Sequence, residues 1–251
     1  MSGHSKWSTI KHKKGAADAK RGQLFTKLSK AIIVAAKDGG PDPANNLALQ
    51  NAIEKAKSYS MPKDTIERAI ARGAGTDADA AAYETVVYEG YGPEGVAVLV
   101  EALTDNRNRT ASDVRHLFTK HGGNLGTTGA VAWLFERRGI VLVESEGVDE
   151  DELTLAAAEG GADDVELDGT VFQVTSAPDA LAAVREAIEA AGITVASAEL
   201  TMVPKTTVAV ADESSAKKLI RLIEALEDLD DVQDVSANFD IPEQVLELVT
   251  S

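Results

Sequence analysis

Between residues 20 and 76 apolar side chains recur every three or four positions, the period of helices with one buried face. Phe25, Leu28, Ile32 and Ala36 form the first such row, and Gly39-Gly40-Pro41 ends it. At about 100° per residue these four fall within about 80° of arc. Lys20, Lys27, Lys30 and Lys37 span about 100° of arc centred almost opposite, so the pattern predicts a helix with a core face and a cationic stripe. Asp42-Pro43 reads as an N-cap with proline at the first helical position, opening a helix through Ala56 with Leu47, Leu49, Ala52 and Ile53 apolar. Pro62 opens a third helix carrying Ile66, Ala69 and Ile70, closed by Gly73. Short joints between amphipathic helices predict a small three-helix domain. The Gly-, Ala- and Asp-rich stretch Ala74 to Ala82 reads as a linker.

From Tyr83 the period changes to that of strands. Thr85 to Tyr88 and Val96 to Leu103 flank a glycine-rich turn and predict a hairpin, followed by a helix from Thr110 to His121. Then come a strand (Ile140 to Val143), helix (Asp149 to Glu159), strands (Val165 to Leu167, Val171 to Val174), helix (Asp179 to Ala191) and strand (Val195 to Met202). This βαββαβ order is ferredoxin-like. Thr206 to Val210, a helix from Ser214 to Leu229, and Val232 to Phe239 supply elements that the earlier hairpin and helix lack. The expected fold is therefore α+β: an N-terminal three-helix domain, then a split α/β middle domain with an inserted ferredoxin-like βαββαβ domain. The boundaries are 1–76 for the basic arm and helices, 77–138 for the first part of the middle domain, 139–203 for the acidic insert, and 204–251 for the second part and a C-terminal helix. A fourth independent domain fits the last stretch equally well.

Charge sharpens this outline. The chain of 251 residues has a formal net charge of −16, yet its first 37 residues carry nine Lys or Arg against one acid, Asp18. That segment therefore holds +8 and the remaining 214 residues −24. The chain reads as a basic arm on an acidic body. With no cysteine, disulfides, thiolate metal sites and iron–sulfur clusters are excluded, which fits a cytoplasmic setting. No apolar run approaches the roughly 18 residues of a spanning helix, so no membrane partner is expected. A basic start also fits an organellar transit peptide, but this one is rich in Lys rather than Arg and continues into core-forming sequence.

The arm places Lys6, Lys11, Lys13, Lys14, Lys20 and Arg21 around Trp7, with His4 and His12 nearby. Cations neutralise phosphates and release counterions, and an indole stacks on an unpaired base or plugs a helical core. At physiological salt the Debye length is about 8 Å, so distant acidic domains do not cancel the local field of the arm. Lys27 and Lys30 continue the surface along the predicted stripe. The alternative is a solvated basic tail with Trp7 tucked into the bundle. A second constellation, Thr104 to Thr110, brings Arg107 and Arg109 to a strand–helix junction. It reads either as an anion site at a helix N-terminus or as capping chemistry by Asp105, Asn106 and Thr110.

Other signals carry no chemistry. Gly90, Gly92 and Gly95 match G-x-G-x-x-G, but the loop precedes a strand and Glu94 would repel a phosphate. Lys120-His121-Gly122-Gly123 lacks the Gly-Lys-Ser/Thr of a P-loop and reads as a helix end. The histidines at 4, 12, 116 and 121 include no i, i+4 pair, so no metal centre is expected. No catalytic set, cofactor loop or small-molecule substrate site is evident.

Gly3-His4-Ser5-Lys6-Trp7, Ile10 to Lys14, Met61-Pro62, Tyr88-Glu89-Gly90-Tyr91-Gly92-Pro93 and Thr104 to Arg109 together resemble the YebC/PmpR family, whose mitochondrial relative is the translational activator of cytochrome oxidase. The resemblance spans essentially the whole chain, with dense motifs up to about Gly139. It implies a three-domain, cytoplasmic, non-enzymatic regulator of gene expression. One description of the family is DNA-binding transcriptional regulation. Another is association with the ribosome through ribosomal RNA, aiding translation of proline-rich stretches. The expected partner is thus ribosomal RNA or the ribosome, with promoter DNA as the alternative. No helix-turn-helix is evident, and a Lys-rich arm is not a base-reading fork of Arg, Asn and Gln, which favours RNA. The expected contact residues are Lys6, Trp7, Lys11, His12, Lys13, Lys14, Lys20, Arg21, Lys27, Lys30, Arg107 and Arg109.

Overall fold

A computed structural model describes residues 18–75 and 83–250. Its first helix, α1, runs Asp18–Gly39, followed by α2 at Leu47–Ser58 and α3 at Lys63–Ala74. Their shared core is Leu28, Ile32, Ile33, Ala36, Leu49, Ile53, Ala56, Met61, Ile66 and Ala69, with Phe25, Ala52 and Ile70 partly buried beside it. The helical period thus predicted the packed face correctly at most positions. Leu47 is the exception, 64% exposed at the start of α2.

Two local departures have clear causes. Asp42 does not open a helix through Ala56; it caps one 3-10 turn, Pro43–Asn45, by accepting from the Ala44 N–H at 3.1 Å. Asn46 then breaks the chain with an extended backbone and starts α2, its Oδ1 accepting from the Leu49 N–H at 3.1 Å. Its Nδ2 donates to the carbonyls of Ala35 (2.7 Å) and Gly40 (2.8 Å), so one buried amide satisfies the end of α1 and the beginning of α2 together. Gly73 does not stop α3 but lies within it. A Cβ there would meet the Ile33 carbonyl oxygen at 2.4 Å, so the glycine is what lets α3 approach α1.

The hairpin consists of β1 (Glu84–Tyr91) and β2 (Ala97–Thr104), with Gly90 opposite Val98. β3 (Asn124–Leu125) pairs with β1, and β9 (Val232–Ala237) pairs antiparallel with β2, giving the order β3-β1-β2-β9. β9 thus takes the outer edge of β2, while β3 covers only Gly90 and Tyr91 of β1. The strand expected over Thr206 to Val210 shrinks to the two-residue β8 (Val208–Ala209) outside this sheet. α4 (Arg107–Lys120) and α7 (Glu213–Glu227) cover one face. Phe118 lies so close to Gly90 that a Cβ would meet its ring at 2.7 Å, and Leu219 would meet a Cβ on Gly92 at 3.1 Å. Those two glycines of the G-x-G-x-x-G match serve helix–sheet packing.

The inserted segment contains β4 (Phe135–Glu144), α5 (Glu150–Glu159), β5 (Ala162–Asp168), β6 (Val171–Ser176), α6 (Leu181–Ala190) and β7 (Ser197–Pro204). Its sheet order is β5-β6-β4-β7, every neighbour antiparallel, which is the ferredoxin-like topology. Val141, Val143, Phe172 and Val174 from the sheet meet Leu153, Ala157, Val184 and Ile188 from the helices. The two helices pack closely because Gly160 has no Cβ; one would meet the Val184 backbone at 2.5 Å.

Among the described residues, 134–207 and 238–240 form one compact unit, and the helices and the split sheet together form another. The chain closes with β10 (Phe239–Asp240) and α8 (Glu243–Thr250). No helix among the described residues is long and apolar enough to cross a membrane.

Candidate nucleic-acid interface

Lys6, Trp7, Lys11, His12, Lys13 and Lys14 lie outside the described residues, while Lys20 and Arg21 belong to the first turn of α1. The remaining candidates are well placed, and three of them converge. Lys27 donates its Nζ to the carbonyl of Glu227 at the end of α7. One turn along, Lys30 Nζ donates to the Asp230 carbonyl at 3.1 Å and to Asp231 Oδ1 at 3.0 Å, and lies 5.5 Å from the centroid of the Tyr83 ring. The middle of the predicted cationic stripe is therefore a docking edge against the turn between α7 and β9. A lysine so placed exchanges water for carbonyl and carboxylate oxygens, and the Lys30 side chain retains only 13% exposure.

Arg109 reaches the same carboxylate from the opposite side. Its Nη2 donates to Asp231 Oδ2 and to Asp105 Oδ1, each at 2.8 Å. The Thr110 hydroxyl donates to Asp231 Oδ2 at 2.9 Å, and the Thr104 hydroxyl lies 2.8 Å from that of Thr110 while accepting from the Asn106 N–H at 2.9 Å. The Leu103 N–H donates to the Asp231 carbonyl at 2.7 Å, fixing its backbone against the end of β2. Burial alone pushes the Asp231 carboxyl up; hydrogen bonds from Arg109, Lys30 and Thr110 more than offset this and hold it at about 2. The same bonds, from Asp231 first and Asp105 second, raise the Arg109 guanidinium further above its ordinary value.

The Thr104 to Thr110 constellation thus supplies caps as well as cations. Helix α4 begins at Arg107, three residues earlier than its apolar period indicates, because Asn106 Oδ1 accepts from the Arg109 N–H at 3.1 Å. This puts both arginines in its first turn. Arg109 is taken up by two carboxylates. Arg107 remains largely exposed, with Glu84 at 3.6 Å, while its carbonyl accepts from the Tyr88 hydroxyl at 3.2 Å.

Two residues that organise this region escaped sequence reasoning. Asp231 sits in an acidic run that reads as a solvated helix end, and nothing local ties it to Lys30. Glu89, 4% exposed on β1, accepts from the backbone N–H groups of Gly129 (2.6 Å), Val131 (2.7 Å) and Ala132 (2.8 Å). Burial works against its charge, yet the three donors leave its carboxyl below the ordinary value. The clamped loop presents Trp133, 66% exposed, whose Nε1 donates to the Ala130 carbonyl at 3.2 Å. Among the described residues no group of His, Asp or Glu is arranged to hold a metal ion.

Comparison with known proteins gives this arrangement a context. Residues 5–76 match the family model described as the TACO1/YebC protein N-terminal domain, and residues 83–239 match its second and third domain. A probable transcriptional regulatory protein of Rubrobacter xylanophilus is 60% identical over 246 residues, 98% of each chain. One of Desulfotalea psychrophila is 57% identical over 247 residues, again 98% of each. The crystal structure of a conserved hypothetical protein from Aquifex aeolicus, 52% identical, superposes with a TM-score of 0.81 over 91% of this chain and 94% of that one.

Proposed function

The chain belongs to the TACO1/YebC family, and on that premise we propose that it is a non-enzymatic, nucleic-acid-binding regulator of gene expression that meets its polyanion with the N-terminal arm. One observation carries the reading: +8 concentrated in 37 residues of a chain whose remainder holds −24. Lys27, Lys30 and Arg109 already have oxygen partners within the fold, so the main contact falls to Lys6, Trp7, Lys11, His12, Lys13, Lys14, Lys20 and Arg21, with Arg107 beside them. Lysines supply phosphate neutralisation and Trp7 supplies stacking, which suits unpaired bases in folded RNA. We therefore favour ribosomal RNA in the cytoplasm, with assistance to synthesis of proline-rich stretches as the activity. Direct binding to promoter DNA is the second reading, favoured by the names of the relatives.

Cosedimentation with purified ribosomes, run beside binding to promoter and random duplex DNA across a salt series, separates them. The ribosome reading expects retention at physiological salt that disappears on deleting residues 1–21. Equal, weak retention of both forms would overturn it. Sequence-selective duplex binding that survives physiological salt would establish the transcriptional reading. If the arm neutralises about five phosphates, log affinity for duplex falls against log salt with a slope near −4.5.

A further inference from the structure

A second set of basic side chains gathers on the helices that cover the split sheet. His116 and Lys120 are one turn apart on α4, His121 is the C-cap of that helix, and Arg221 comes from α7, which packs against it. His116, Lys120 and Arg221 are exposed and His121 is half-buried. Among the described residues no ion pair joins any of the four to a carboxylate. Gly92 sets the neighbourhood: a Cβ there would meet Leu219 and Leu222, on either side of Arg221, at 3.1 and 3.4 Å, and a Cβ on Gly123, two residues past His121, would meet the Gly92 Cα at 3.1 Å. The His121 imidazole is held below its ordinary value by burial first and then by Lys120, Arg221 and His116.

Helix-end electrostatics explains only part of this. A helix C-terminus favours basic residues in its last turn, which accounts for Lys120 and for His121 at the C-cap. It does not account for Arg221, contributed by another helix. Several other cations in the same unit do meet acids: Lys217 with Glu213 at 2.6 Å, Arg109 with Asp105 and Asp231, Lys30 with Asp231. In a chain with 41 acids and 25 Lys or Arg, a gathering of basic side chains with no carboxylate in ion-pair reach is open to an anion from outside the fold.

We infer that His116, Lys120, His121 and Arg221 form a phosphate-binding patch that takes the backbone phosphates of nucleic acid, separate from the N-terminal arm. This rests on the nucleic-acid reading above and adds a second point of attachment to it. Arg221 supplies a planar fork of donors for phosphate oxygens and Lys120 a point charge. His121 becomes a donor on both ring nitrogens when it protonates, and a phosphate beside it stabilises that form. Binding at this patch therefore draws in a proton at His121.

The test uses the full chain, a 20-nucleotide single-stranded RNA, a 20-base-pair duplex DNA, and inorganic phosphate at matched phosphate concentration. The His121 pKa is followed by NMR, and affinity is measured over a salt series for wild type, the double variant K120A/R221A and the control K63A. All four positions changed or monitored are off the arm, and unfolding midpoints confirm that the variants fold. The expected result is a rise in the His121 pKa with nucleic acid, a five- to tenfold loss of affinity for K120A/R221A, and a duplex salt slope smaller by about 1.8, with K63A unchanged. Comparing the RNA and DNA arms reveals which backbone is preferred. If the chain binds nucleic acid while the double variant matches wild type and His121 does not move, the patch is refuted and the wider function stands. If inorganic phosphate shifts His121 but neither polymer does, the site is one for small anions and the assignment fails. If neither polymer binds the full chain, the nucleic-acid function falls, and the patch with it.

Discussion

Lys30 and Asp231, 201 residues apart in the chain, meet at 3.0 Å with side chains only 13% and 12% exposed. Arg109 joins them 2.8 Å from the other carboxylate oxygen. A single acid thus ties the N-terminal helices to the start of α4 and the entry to β9. Its removal leaves Lys30, largely shielded from water, and the half-exposed Arg109 facing each other without the acid between them.

For that reason D231N is expected to destabilise the chain by about 2 kcal/mol, less than a fully buried pair because water still reaches Arg109. E84Q, which removes the exposed partner of Arg107, is expected to change stability by less than about 0.5 kcal/mol. Urea unfolding followed by far-UV circular dichroism measures both. Equal effects would mean that the network contributes no more than a surface pair.

Acid sensitivity follows from the same carboxylate. The folded-state value of Asp231, about 2, lies below its ordinary 3.8, so between these values the unfolded chain binds more protons and stability rises with pH. The contribution is complete above the unfolded value and is lost as pH falls from about 4 towards 2. Glu89 is shifted in the same direction. Acid titration of unfolding free energy is expected to be flatter for D231N than for wild type across this window; parallel curves would refute the assignment.

The Glu89 clamp makes a separate, local prediction. E89A orphans three backbone donors that now share one buried carboxylate, at an expected cost of about 2–4 kcal/mol. Hydrogen exchange at Gly129, Val131 and Ala132 should accelerate far more than at β2. Uniform acceleration would show that the loop and sheet unfold together.

Glycines in two helices should answer alanine in opposite ways. G73A places a methyl 2.4 Å from the Ile33 carbonyl oxygen and 2.8 Å from the Ala36 side chain, forcing α3 away from α1 at about 1–3 kcal/mol. G22A meets nothing within 4 Å on α1 and should stabilise by about 0.5–1 kcal/mol through helix propensity. Thermal unfolding of the two variants checks the signs.

Much of the fold was readable because its cause is local and periodic. Phe25, Leu28, Ile32 and Ala36 repeat at helical spacing because they share one core, and Val141 and Val143 alternate because a strand turns every second side chain to the same face. The family motifs were readable in the same linear way. The split sheet was partly readable: the order of elements pointed to it, but that β9 and not the Thr206 to Val210 segment lies beside β2 is a matter of pairing, not propensity. Asn46 looked like an ordinary polar residue in a helix, because its bonds to Ala35 and Gly40 require the chain to have turned back onto the end of α1.

By itself, the amino-acid sequence determined the helix and strand periods, the basic arm on an acidic body, the absence of thiol chemistry and the family. Tertiary structure alone decided which cations are spent inside the fold and which remain for a partner. Lys27, Lys30 and Arg109 are drawn to oxygens about 120 to 200 positions away, whereas His116, Lys120, His121 and Arg221 are brought together without a carboxylate. The reason is physical. Periodicity records which side of an element faces the core, but an electrostatic partner is set by distance in space, and chain order carries almost no information about distance once the chain has folded back on itself.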